Sequence, residues 1–150
     1  MPGMDPYVYP GTAVLKNLRS IQDQLELSRF EADATSRRIR QVEHRPKPGK
    51  FDIPHLKAIH AHIFQDVYPW AGEFRTVNIA RPGQFYFAFS EQIVPCLANL
   101  FAELLREKHL ATTASREDFC NRAGYYVGEF HTEFSAGRQL RFGSSSAQCD

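Results

Sequence analysis

The sequence of 150 residues is poor in cysteine and has no long apolar runs. Its three cysteines, Cys96, Cys120 and Cys149, are odd in number and have no CxxC spacing, which argues against a disulfide framework or a zinc ribbon and favours a reducing compartment. No apolar run approaches the roughly 18 residues of a membrane span, and the N-terminus lacks the apolar core of a signal peptide. These absences predict a cytoplasmic protein without a membrane partner.

An excess of charge of one sign is also missing. Eighteen basic and seventeen acidic residues give a formal net charge of +1, so no global field attracts nucleic acid, and none is predicted as a partner. The nucleotide-binding signatures GxGxxG and GxxxxGK[ST] do not occur. His60 and His62 would lie about 200° apart on a helix, and His55 adds no i, i+4 spacing, so no metal ligands are predicted.

Apolar side chains recur with helical periodicity through most of the chain, which predicts a mainly α-helical protein. Pro- and Gly-rich residues 1–11 are predicted as an extended N-terminal arm, 12–142 as one domain and 143–150 as a disordered tail. Helices are predicted over about 13–21, over 23–43, from 52 to the proline at 69, from Ser90 and from Ser115. Asp23 with Glu26 forms a capping box. Cys120, on the apolar stripe of the last helix, is predicted as a core residue rather than a nucleophile.

Near the middle of the chain the period changes from helical to alternating. Two short extended runs, 77–79 and 85–89, flank an Arg-Pro-Gly turn, which predicts a β-hairpin. Its aromatic side chains could simply pack on the helices. Alternatively, its open edge could accept an extended peptide by β-augmentation. The pattern alone favours neither.

Three runs resemble Fic domains. Residues 5–12, DPYVYPGT, are similar to the opening of stand-alone Fic-domain toxins. Residues 63–77, IFQDVYPWAGEFRTV, resemble the helix and corner that lead into the flap of the family, and the corner at Trp70 is the most specific part. Residues 125–130, YYVGEF, resemble the helix that delivers the Fic motif. The chain is therefore identified as a member of the Fic family, similar to Fic toxin-like protein adenylyltransferases, with a likeness covering roughly residues 5–130.

The resemblance implies a Fic-like helical bundle with one β-hairpin flap, and AMP transfer from ATP to a hydroxyl side chain of a target protein. In the family motif H-x-F-x-[D/E]-G-N-G-R-x-x-R, the histidine is the general base and the acidic residue holds Mg²⁺. The glycines and arginines bind the ATP phosphates, and the flap aligns the target as an added strand. By resemblance, His131 is the catalytic residue here. The implied ATP-binding residues are Gly137, Arg138 and Arg141, and the implied target-docking residues of the flap are Val77, Asn78, Ile79, Phe85 and Phe87.

The run 131–141, HTEFSAGRQLR, departs from this motif in either of two registers. Aligned from the upstream side, Phe134 occupies the catalytic position and His131 comes about one helical turn early. Aligned from the downstream side, the phenylalanine, glycine and two arginines fit, but an Asn-Gly pair is absent and Ala136 replaces the acidic residue. Losses of this kind reduce catalysis by orders of magnitude, so AMP transfer by this chain is expected to be impaired, with ATP and Mg²⁺ required for any activity.

Other readings of the same residues remain open. The chain could be a catalytically inactive Fic-like binding module in a toxin–antitoxin type system, or it could transfer another phosphate-containing group. No inhibitory [S/T]xxxE[G/N] segment is found, so the resemblance implies restraint by a separate small antitoxin protein. The abrupt end of the likeness after Phe130 favours a shifted reading frame over gradual drift. A missing covering helix would then leave Val127 and Phe130 partly exposed.

Overall fold

The computed structural model describes residues 5–78 and 89–134, with the backbone alone for 131–134. These residues form a mainly helical structure, as predicted. Its helices are α1 (Gln24–His44), α2 (Ile53–Phe64), α3 (Ile93–Arg106) and α4 (Arg116–Phe134), with 3₁₀ turns at Ser90–Gln92 and Lys108–Leu110. The β-pairing found in the described ranges is one antiparallel bridge between Val8 and Leu15. Most of the predicted hairpin lies outside these ranges.

Side-chain caps start three of the helices where the sequence predicts. Asp23 accepts a hydrogen bond from the backbone N–H of Glu26 at 2.8 Å, as the capping box requires. Asp52 caps α2 in the same way, and the hydroxyl of Ser115 accepts from the N–H of Asp118 at 3.0 Å to cap α4. Each cap satisfies a backbone donor that has no partner inside its helix.

The helix predicted over residues 13–21 is wrong, because this segment is irregular. The side chain of Asn17 donates to the carbonyl oxygens of Leu15 and Ile21 and accepts from the N–H groups of Arg19 and Ile21. The hydrogen bonds of this one amide group thus replace those of a helical backbone. Asparagine side chains are known to compete with helix formation in this way. Ser20 has a φ of 55°, which also breaks the helical path.

Two further predictions on the helices need correction. The helix predicted from Ser90 begins later: Ser90 opens a 3₁₀ turn, and α3 begins at Ile93, which places Pro95 in the first turn of the helix. Cys120 is exposed rather than buried in the core. Val127 is 67% exposed and Phe130 is half-buried, so both side chains are partly exposed, as predicted.

The helices pack in chain order, α1 on α2, α2 on α3 and α3 on α4. The larger core lies between α1, α2 and the N-terminal arm, which packs its aromatic residues on it. Its buried members are Val14, Leu15, Leu27, Ala34, Ile63, Phe64, Val67 and Tyr68. A smaller core surrounds Ile93 and Leu97 of α3 and includes Phe130 of α4. The second core therefore joins α4 to the rest of the described structure.

Candidate functional site

The aromatic corner that follows α2 is held by stacked rings. Trp70 stacks on Tyr68 with ring centroids 5.0 Å apart and an angle of 15° between the planes. Tyr7, from the N-terminal arm, meets the same indole edge-on at 5.0 Å and 79°. Contacts of this kind add to the stability gained from area burial. The arm and the corner therefore form one rigid unit.

A glycine completes this corner. Gly72 has a φ of 85°, and its N–H donates to Nδ1 of His60 at 2.8 Å. A Cβ at this position would come within 2.7 Å of the Cβ of Ala61, so any side chain would clash as well as strain the backbone. His60 is buried, and its ring nitrogen accepts this backbone hydrogen bond.

The segment that enters the predicted flap is fixed by the arm. The phenol oxygen of Tyr7 accepts from the N–H of Thr76 at 3.0 Å and shares a hydrogen bond with its hydroxyl at 2.9 Å. Arg75 is only 5% exposed and donates to the carbonyl oxygen of Val77 at 2.8 Å. Burial lowers the pKa of its guanidinium. The sequence gives no sign that Tyr7 and Arg75 position this segment, because their hydrogen-bond partners are known only from the structure.

The described residues on either side of 79–88 meet in space. Oδ1 of Asn78 accepts a hydrogen bond from the N–H of Ser90 at 2.8 Å. Of the predicted flap residues, Val77 and Asn78 therefore lie at its base, whereas Ile79, Phe85 and Phe87 lie outside the described residues. This closure is compatible with a hairpin, which stays a prediction.

A polar cluster anchors α4 at its middle. Glu107 accepts two hydrogen bonds from the guanidinium of Arg122 and one from the hydroxyl of Tyr126 at 3.0 Å. The guanidinium also lies over the ring of Tyr125, 4.6 Å from its centroid. The hydrogen bonds from Arg122 are the main reason that the pKa of Glu107 is held below its usual value. The cluster fixes the position of the helix that leads into residues 131–141.

Replacing Arg122 with glutamine is expected to raise the pKa of Glu107 toward that of an ordinary carboxyl group. Because its folded-state pKa is depressed, Glu107 stabilises the fold above the unfolded-state pKa, and this contribution is lost as the pH falls through the folded-state value. In the Arg122→Gln variant this part of the acid-induced loss should disappear. Carboxyl NMR titration of Glu107 and urea unfolding at several pH values measure both effects. Arg116→Gln, on the exposed face of the same helix, is the matched control, and an unchanged Glu107 titration in Arg122→Gln would refute the assignment.

Whether the predicted catalytic and ATP-binding residues come together stays a prediction, because most of them lie outside the described residues. α4 continues to Phe134, so the backbone of His131 is helical and lies one turn before the helix ends. Gly137, Arg138 and Arg141 lie outside the described ranges. Within those ranges, no group of three His, Cys, Asp or Glu side chains could hold a metal ion. None of the helices in the same ranges is long and apolar enough to cross a membrane.

Comparison with known proteins identifies the family to which this chain belongs. Residues 50–133 match the model of the Fic/DOC family, and the chain is a member of that family. A Salmonella typhimurium protein named "Probable protein adenylyltransferase Fic" is 31% identical over 148 residues, covering 97% of this chain and 69% of the relative. This alignment continues past Phe130. It therefore does not confirm the predicted break in the likeness at that residue, which stays a prediction.

Two other similar proteins agree with this family. "Probable protein adenylyltransferase y4lH" of Sinorhizobium fredii is 40% identical over 127 residues, covering 85% of this chain and 64% of the relative. The crystal structure of the BepC protein of Bartonella tribocorum with bound AMPPNP superposes with a TM-score of 0.79 at 25% identity, covering 85% of this chain and 67% of that one. The chain thus spans less than two thirds of the length of the y4lH relative.

Proposed function

We propose that the chain is a Fic-family protein adenylyltransferase, which transfers AMP from ATP to a hydroxyl side chain of a target protein in the cytoplasm, and that its activity is impaired. The main support is the 40% identity over 127 residues to a protein named as an adenylyltransferase. The AMPPNP bound to the BepC protein supports a nucleotide as ligand.

In this proposal the residues act as the family resemblance implies. His131 accepts the proton of the target hydroxyl, whose oxygen then bonds to the α-phosphorus of ATP as pyrophosphate leaves. Backbone N–H at Gly137 and the charges of Arg138 and Arg141 bind the phosphates. The target lies along the flap. The hydrogen bond that the N–H of Ser90 donates to Asn78 supports a fixed starting point for this flap.

The residues present do not fit a magnesium site of the family type. In the downstream register Ala136 stands where the motif has a carboxylate, and an alanine side chain offers no oxygen ligand to this hard cation. Without a protein carboxylate, a magnesium ion would be bound only through the phosphate oxygens of the nucleotide. We therefore assign no catalytic step to the ion.

The position of His131 supports impaired activity. In the upstream register it comes three residues early, and α4 is helical throughout this stretch. Three helical residues correspond to about 4.5 Å along the axis, whereas a misplacement of about 1 Å can cost around 10²-fold in rate. A histidine so displaced would be a poor general base for a hydroxyl aligned by the flap.

The absence of the Asn-Gly pair and of the acidic residue favours a second candidate function. This is a catalytically inactive Fic-like module that binds a partner through the flap and is held by a small antitoxin protein. Such a module has no need of ATP. Nucleotide binding therefore separates the two candidates.

Calorimetric titration of the purified chain with ATP is expected to show binding that depends on Arg138 and Arg141. The double variant Arg138→Gln/Arg141→Gln should bind at least about tenfold more weakly, because two charge-assisted contacts to the phosphates are lost. The control Arg29→Gln/Arg106→Gln has the same change in net charge at exposed positions of α1 and α3. ATP binding that is absent, or equally affected by both double variants, would reject the enzyme and leave the inactive module.

A further inference from the structure

A basic pocket lies between the C-terminal end of α1, the loop that follows it and α2. Its volume is about 580 Å³. It is lined by Arg40, Gln41, His44, Arg45, Lys47 and His62. Five of these six side chains are bases, and no carboxylate is among the described residues that line the pocket. Three of them, Arg40, Arg45 and Lys47, carry a full positive charge at neutral pH, although the net charge of the chain is only +1.

The three permanent cations of this pocket, Arg40, Arg45 and Lys47, form no ion pair with a described acidic residue. Asp66, on the same side of the molecule, is bound by Arg38 through hydrogen bonds of 2.7 and 2.9 Å. Three cations therefore line one concavity without an ion-pair partner among the described residues, which favours binding of an anion.

One wall of the pocket is held in position by hydrogen bonds. Gln41 Oε1 accepts from Arg38 at 3.2 Å and lies 3.1 Å from Nε2 of His62, and Gln65 lies 3.4 Å from the other ring nitrogen. Burial, followed by the charges of Lys47 and Arg38, lowers the pKa of His62. Burial and nearby positive charge thus both disfavour protonation of the imidazole, and a bound anion would oppose the part that is due to charge.

We propose that this pocket binds the phosphate groups of a small oligophosphate-bearing ligand. Guanidinium groups match phosphate oxygens in pairs, and the volume falls within the usual range for small-molecule sites. The aliphatic stems of the arginines supply the apolar part of the walls. An acidic protein segment would instead require bases spread along an extended face.

The electrostatics of α1 do not explain this arrangement. Basic side chains at the end of a helix are favoured by its dipole, which accounts for His44 and Arg45. Lys47 and His62, however, come from the loop and from α2. The proposal is also independent of the AMP-transfer function, because α1 and α2 form the pocket, whereas α4 packs on α3 and the Lys108–Leu110 turn.

The test is a titration with inorganic triphosphate at constant ionic strength, followed by the imidazole NMR signals of His44 and His62. We expect saturable shifts with a Kd below about 1 mM. The double variant Arg40→Gln/Lys47→Gln should bind at least about tenfold more weakly. The control Arg29→Gln/Arg106→Gln, with the same change in net charge outside the pocket, should bind like the unaltered chain. Circular dichroism checks that both variants fold.

Three results would overturn the proposal: no saturable shift of either imidazole, equal weakening in both double variants, or tighter binding of an octaglutamate peptide at the same residues. ATP distinguishes the possible sources of the phosphates. ATP-induced shifts that are lost in Arg40→Gln/Lys47→Gln but kept in Arg138→Gln/Arg141→Gln identify a nucleotide ligand, whatever the fate of the adenylyltransferase proposal. Triphosphate binding without such ATP shifts identifies a ligand without a nucleoside.

Discussion

Replacing residues 131–141 with three helix-forming residues followed by the full pattern H-x-F-x-E-G-N-G-R-x-x-R is expected to raise AMP transfer by at least about 10³-fold. The replacement restores a correctly spaced histidine, an acidic residue and the Asn-Gly pair at once. Each loss of position or of phosphate-binding groups costs about 10²-fold or more. The measurement is incorporation of label from ATP labelled at the α-phosphate, after incubation of each chain with a cell lysate.

The control for this experiment is the same replacement with alanine in place of the motif histidine, which should return labelling to the level of the unaltered chain. A strong labelled band produced by the unaltered chain and lost in His131→Ala would show that its motif is active as it stands. A restored chain that labels nothing beyond its alanine control would mean that residues 131–141 are not what limits activity.

The second large effect concerns the packing of α1. Leu27 is 1% exposed, and Leu27→Ala is expected to lower the free energy of unfolding by about 2–5 kcal/mol, since both the transfer of the side chain and a residual cavity contribute. Leu25 lies on the same helix and is 60% exposed. Leu25→Ala removes the same atoms, yet it should change stability by only about 0.5 kcal/mol.

Urea unfolding followed by circular dichroism measures both leucine variants against the unaltered chain. Similar losses for the two variants would show that α1 does not use the buried face described above. They would also remove the basis for treating α1 and α2 as a fixed frame for the basic pocket.

Local signals in the sequence were sufficient at the starts of α1 and α4. Asp23 and Ser115 are predicted caps, and both accept the expected backbone hydrogen bonds, because a cap acts within three residues of itself. Asn17 shows the opposite case. Its neighbours have helical spacing, but its amide forms four local hydrogen bonds that no periodicity reveals.

Positions that depend on tertiary contacts were predicted less well. Cys120 lies on the apolar stripe of α4 yet is exposed, since a stripe predicts burial only where a partner element covers it. The basic pocket was missed because formal net charge sums over the chain. Arg40 and Lys47 meet His62 only when α1 packs on α2.

The tie between Asn78 and Ser90 has a consequence for how this region can change over evolutionary time. The hydrogen bond between them closes a loop of eleven intervening residues at its base. The entropic penalty of closing a loop grows only slowly with its length, so insertions and deletions there are thermodynamically mild. We therefore expect changes of length or sequence between Asn78 and Ser90 to accumulate faster than changes in the two cores, because they disturb the packing of the described helices little.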